Sequence, residues 1–187
     1  LLGLAAFAPG CGMGGGPSSE FAITSLDDAR VYRPTFVTAA YLPVDPSTAE
    51  VYLSDLPVAR FQDPKDDLDG AAGSIVHIHV FLVPSAGDTP IDATACNVTI
   101  RHMVIAAPGS GAEKSHHAVG LYGGGGFVFP SDDIGESSIA GSVDKATLRL
   151  VRSSAGFHDP LGPGTVSGRF DAPRNDTLAR AIAAKFE

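Results

Sequence analysis

The sequence predicts a mainly β domain, an antiparallel β-sandwich or barrel-like fold with one C-terminal α-helix. Short runs of apolar and β-branched residues recur along the chain, each bounded by turn residues. Glycine and proline number 22 and 14, which implies frequent turns and short strands rather than long helices. No alternating strand–helix rhythm is present, so a parallel sheet is not expected. At 187 residues the chain is long enough for one hydrophobic core, and without Trp that core rests on Val, Ile, Leu, Ala and ten Phe.

The expected strands are Phe21–Thr24, Thr35–Leu42, Glu50–Leu53, Ser74–Val83, Thr94–Ala106, Ala118–Tyr122, Phe127–Phe129, Ala146–Arg152 and Thr165–Phe170. Alternation is clearest in Ala146-Thr147-Leu148-Arg149-Leu150, where Ala146, Leu148 and Leu150 share one face and Arg149 takes the other. Gly123–Gly126 reads as a flexible turn or bulge between two apolar segments. Near the C-terminus, Asn175 or Asp176 suits a helix N-cap. Leu178, Ile182 and Phe186 recur every four residues with Ala179 and Ala183 beside them, an apolar stripe that would cover a sheet end or edge.

The first residues carry a different signal. Leu1–Ala8 is a short apolar run, well under the ~20 residues that a membrane-spanning helix needs. It matches the apolar region of a secretory signal peptide, and it ends at Gly10-Cys11. Here the sequence resembles the bacterial exported lipoproteins, in which a small residue precedes a cysteine that is acylated after cleavage. The family usually has Leu where Ala8 stands and a small residue where Pro9 stands. The resemblance implies that Cys11 is lipidated and that the chain sits in the bacterial cell envelope, in the periplasm or anchored at the outer membrane. The expected layout is a truncated signal peptide over 1–10, a lipidated Gly/Ser-rich tether over 11–19, and a single β-rich domain over 20–187. Gly12–Ser19 has almost nothing to bury, as a tether requires. If Cys11 is acylated, Cys96 has no intrachain partner and reads as a buried cysteine on a strand; if not, a Cys11–Cys96 disulfide is the alternative.

The formal net charge of −8 argues against nucleic acid, whose phosphates call for a basic surface. The expected partner is the membrane, through the anchor, with a protein or glycan ligand left open.

Two histidines stand at strand spacing in Ile75-Val76-His77-Ile78-His79-Val80, so their side chains share a face. Histidines at this spacing suit zinc or copper when a third ligand joins them, and His102, on the next long strand, is the candidate. The register decides the matter. Val76, Ile78, Val80 and Leu82 form one apolar face, and Cys96, Val98, Ile100 and Val104 form another that includes His102. Burying each large side chain is worth ~1.5–3 kcal/mol, so matching these faces should set the register and put His77 and His79 opposite His102. A one-residue slip would bring the three together. His116, His117 and His158 fall in segments with turn composition.

Asp63–Gly70 is acid-rich but fails the spacing of an EF-hand loop, with Lys65 at the first ligand position and Val76 at the last. No Gly-x-Ser-x-Gly elbow is present, and no catalytic set emerges. Three functional readings therefore stand. The first is a lipid-anchored binding or structural module, the second a metal-binding envelope protein using His77, His79 and His102, and the third a hydrolase whose site the sequence does not reveal.

Overall fold

The computed structural model describes residues 19–82, 96–106 and 118–186. It is mainly β, with β1 (Glu20–Ser25), β2 (Val31–Tyr32), β3 (Thr38–Asp45), β4 (Thr48–Ser54), β5 (Gly73–Phe81), β6 (Val98–Ala106), β7 (Ala118–Pro130), β8 (Ser138–Ser153) and β9 (Gly164–Pro173). A single helical turn, α1 (Ala59–Gln62), follows β4, and α2 (Asp176–Ala183) follows β9. Among the described residues, no helix is long and apolar enough to cross a membrane.

The strands form one antiparallel sheet in the order β2-β1-β9-β8-β7-β6-β5-β4-β3, curled into a half-barrel. From β3 to β9 it is a simple up-and-down meander, and the β1–β2 hairpin adds to the free edge of β9. The two margins of the sheet meet at one end. Tyr41 in β3 bridges Arg174 just beyond β9, and the Asn175 N–H donates to the Tyr41 carbonyl at 3.1 Å. The Tyr41 hydroxyl donates to the Glu136 carbonyl. The architecture is thus the barrel-like of the two expected forms.

Curling gives each strand a concave and a convex face. The concave core holds Phe21, Ile23, Tyr41, Val51, Ile78, Ile100, Tyr122, Val143, Val166 and Phe170, all buried. A second cluster lies on the convex side, where Ala179 and Ile182 of α2 pack over Ala40, Tyr52, Ile75 and Met103 with Phe61 beside them. The helix thus covers the convex sheet face over β3 and β4 rather than an open sheet end. Asn175 caps it, its Oδ1 accepting from the Leu178 N–H at 3.0 Å.

Two segments depart from the sequence reading. Gly123–Gly126 lies inside a continuous β7, not at a turn between two strands. The register against β8 shifts between Gly123 and Phe127, so the bulge is real. Strand β8 also begins well before Ala146. Val143 and Ala146 both face the core, and a second bulge against β9 lies between them, where Lys145 adopts a positive φ of 47°. That bulge breaks the alternation on which strand detection depends.

Candidate functional site

The pairing of β5 with β6 settles where the histidines go. Val76 lies opposite His102, Ile78 opposite Ile100, and Val80 opposite Val98. The apolar faces are matched, so His102 points into the concave core while His77 and His79 point outward. The three-histidine arrangement is therefore corrected: His102 lies across the sheet from His77 and His79, and no single ion could contact all three. The cause is the burial free energy of the matched Val and Ile rows, which a slipped register would expose.

On the convex face, a different residue joins the two histidines. Glu50 of β4 lies opposite His79, and Tyr52 lies opposite His77. One Glu50 oxygen, Oε2, bonds His77 Nε2, and the other, Oε1, lies 2.8 Å from His79 Nδ1. Tyr52 stacks on His77 with ring centroids 4.7 Å apart and nearly parallel, and Phe186, just past α2, leans on the same imidazole at 5.8 Å. Burial alone would push the Glu50 carboxyl up, but the hydrogen bonds and charge of His77 and then His79 outweigh it and hold it below its ordinary value. Each carboxylate oxygen is occupied by one imidazole, and among the described residues no group of three or more His, Cys, Asp or Glu is arranged to hold a metal ion.

Glu50→Gln is expected to lower stability by about 1–3 kcal/mol at neutral pH, because the neutral amide replaces a charge-assisted acceptor. A folded carboxyl below its unfolded value of 4.5 stabilises fully above that pH, and the contribution fades as acidification passes the lower folded value. Urea melts of both proteins at neutral and strongly acidic pH check this: the gap should close in acid, and a gap independent of pH would refute it.

The concave side holds the second feature. His102 is fully buried, and neither ring nitrogen has a hydrogen-bond partner among the described residues. Its ring lies between two tyrosines, Tyr32 of β2 and Tyr122 of β7, each with its centroid 6.1 Å away. Burial pulls its pKa from 6.5 down to about 4, so the ring is neutral at physiological pH. Tyr122 extends the arrangement outward, its hydroxyl donating to Asp159 Oδ1 in the loop between β8 and β9. The same carboxylate oxygen accepts from the Leu161 and Gly162 N–H groups at 3.0 and 2.9 Å, which fixes the loop.

Beside this layer, away from the closed end, the half-barrel opens. A cavity of about 340 Å³ lies between the β1–β2 hairpin and the β5–β6 pair. Arg30 and Tyr32 form one wall, Gly73, Val104 and Ile105 the other, and Leu161 covers it. Tyr32 serves twice, lining the cavity on one side and stacking on His102 on the other.

The remaining sequence candidates among the described residues belong to neither site. Cys11 lies outside the described residues, as do His116 and His117. Cys96 is exposed and precedes β6, contrary to the expectation of a buried strand cysteine. The strand begins only at Val98, and Asn97 anchors its start by donating from Nδ2 to the Val128 carbonyl and accepting from the Val128 N–H. His158 is exposed on the loop that Asp159 pins. In the acidic segment, Asp66 receives two hydrogen bonds from Arg60, at 2.6 and 2.9 Å, so this carboxylate is engaged within its own loop.

Sequence reasoning missed Glu50, Tyr32, Tyr122 and Asp159. Glu50 appeared only as the first residue of an expected strand, and two-residue β2 is too short for any periodic signal. Asp159 sat in the Gly156–Pro160 turn, but its partner is 37 residues away in sequence. Compared with protein-family models, curated proteins and solved structures, the chain matches none.

Proposed function

We propose that the chain is an exported, lipid-anchored binding module, held at the bacterial envelope by Cys11 and taking a small ligand into the open end of its half-barrel. The observation that carries the binding role is the 340 Å³ cavity, walled by Tyr32, Val104 and Ile105 and roofed by a loop that Asp159 fixes. Ligand sites are concave, mostly apolar and supplied with a few placed polar groups, and this cavity has that composition. The anchor rests on the apolar run ending at Gly10-Cys11, followed by a segment with little to bury.

One pair of measurements tests the reading. In a bacterial host the chain, supplied with a complete secretory leader ahead of its apolar run, should fractionate with membranes, and Cys11→Ser should release it. On the released Cys11→Ser protein, which carries no acyl chains to absorb the probe, the neutral fluorophore N-phenyl-1-naphthylamine should bind saturably at one site. Val104→Phe, which fills the cavity, should abolish that binding while leaving the circular dichroism spectrum unchanged. A membrane fraction indifferent to Cys11→Ser would refute the anchor. Absence of saturable probe binding, or binding indifferent to Val104→Phe, would refute the cavity as a ligand site.

A further inference from the structure

A neutral imidazole always has one N–H to donate and one lone pair to accept with. In His102 both are buried and unpartnered among the described residues. Each such group costs about 1–3 kcal/mol relative to being paired. Leucine or phenylalanine would fill the same space without that cost, and the rest of the row it occupies, Val76 on one side and Tyr122 on the other, is satisfied. A buried polar side chain with no internal partner, one residue layer behind a cavity, points to a partner that arrives through that cavity.

What separates the imidazole from the cavity is Tyr32. Its strand, β2, contributes only Val31 and Tyr32, pairs with β1 alone, and stands at the margin of the sheet. Rotation of its half-buried ring, which would give up its hydroxyl's bond with Ser74, would open the way from the cavity to His102. Val104 shows the alignment from the other wall: it sits two residues along β6 from His102, on the same face, and lines the cavity.

We infer that His102 is the specificity-determining residue of the cavity, and that the ligand is a small, uncharged, largely apolar molecule carrying one hydroxyl that reaches the imidazole past Tyr32. This rests on the reading of the cavity as a ligand site and adds its chemistry. A hydroxyl both donates and accepts, which suits either ring nitrogen. A charged head group does not fit, because it would be desolvated against a neutral ring: His102 has no counter-charge on its own row, and the nearest cation lining the cavity, Arg30, is paired with Asp28 at 2.5 Å. The volume of about 340 Å³ admits a molecule of two or three rings.

The experiment uses two probes of nearly equal shape, naphthalene and 2-naphthol, displacing N-phenyl-1-naphthylamine from the Cys11→Ser chain at neutral pH. One hydrogen bond to an otherwise unpaired group should make 2-naphthol bind about ten-fold more tightly. His102→Leu should erase that preference and leave naphthalene binding essentially unchanged, which a merely structural role for His102 would not produce. In the parent protein, the ¹⁵N resonances of the His102 ring should move with 2-naphthol and stay put with naphthalene. Equal binding of the two probes, or a preference that survives His102→Leu, would overturn this inference while the cavity stands. Failure of the fluorophore to bind at all would instead remove the cavity, and the inference with it.

Discussion

His102→Leu is expected to make the protein more stable at neutral pH and to remove much of its sensitivity to mild acid. Leucine is close to histidine in volume and carries no polar atom, so the swap removes two unpaired nitrogens without opening a void. At about 1–3 kcal/mol for each nitrogen the gain should be about 2–6 kcal/mol, less whatever the ring contacts with Tyr32 and Tyr122 contribute. The acid effect follows from the lowered pKa. The unfolded histidine takes up a proton below its ordinary 6.5, whereas the folded one does so only below about 4. Between those values the unfolded chain holds more protons, so stability rises with pH and falls on acidification. At 1.36 kcal/mol per unit the loss across that window is roughly 3 kcal/mol. Urea melts of both proteins at several pH values from 6.5 to 4 separate the two effects. A leucine variant that is weaker at neutral pH, or one with the same acid slope as the parent, would show that the imidazole is satisfied internally. A residue that weakens the fold and tunes the cavity is the expected pattern where binding, rather than stability, decides a side chain.

The second large effect concerns the run of four glycines. Gly124→Ala is expected to abolish folding, or to cost more than about 4 kcal/mol, while Gly123→Ala next to it should change stability by less than about 1 kcal/mol. The difference is one of facing. Gly124 points toward the concave side, where the bulged β8 presses so close that a methyl group would overlap the Thr147 carbonyl oxygen. The Thr147 backbone cannot yield there without pulling away from Thr165, its partner in β9. Gly123 points outward, and its methyl would meet only the Val151 side chain, at 3.3 and 3.5 Å, which is exposed and can give by a few tenths of an ångström. Thermal melts and soluble yields of the two variants decide it. A Gly124→Ala protein as stable as its neighbour would mean that the strands do not approach as described.

These effects bear on what was legible beforehand. The shared face of His77 and His79 followed from alternation alone, because the period of two is a property of the strand itself. Their separation from His102 was within reach as well, since burying both apolar rows on one face excludes the one-residue slip that would bring the three histidines together. Glu50 was not legible as their partner. Nothing in a strand names the strand beside it, and Glu50 meets His77 across 27 residues of chain through a β4–β5 pairing that only the folded sheet establishes. Of the two readings of the tetraglycine, a turn or a bulge, the structure keeps the bulge, and the choice was hidden for a related reason. Glycine signals a turn locally, but here its use is to admit a neighbouring strand, which has no trace in the local sequence.

Composition, turn spacing and alternation determined that this chain is built mainly of antiparallel strands, though β7 and β8 run to 13 and 16 residues, longer than expected; the Asn175 cap with the Ile182 stripe determined its closing helix, and both signals depend on interactions within a few residues. The tertiary structure alone decided that the sheet curls into a half-barrel pinned at Tyr41 and Arg174, and that its open end leaves a cavity beside an unpartnered His102. Such features come from contacts distant in sequence, where the twist of nine strands accumulates and the ends of a sheet either meet or part.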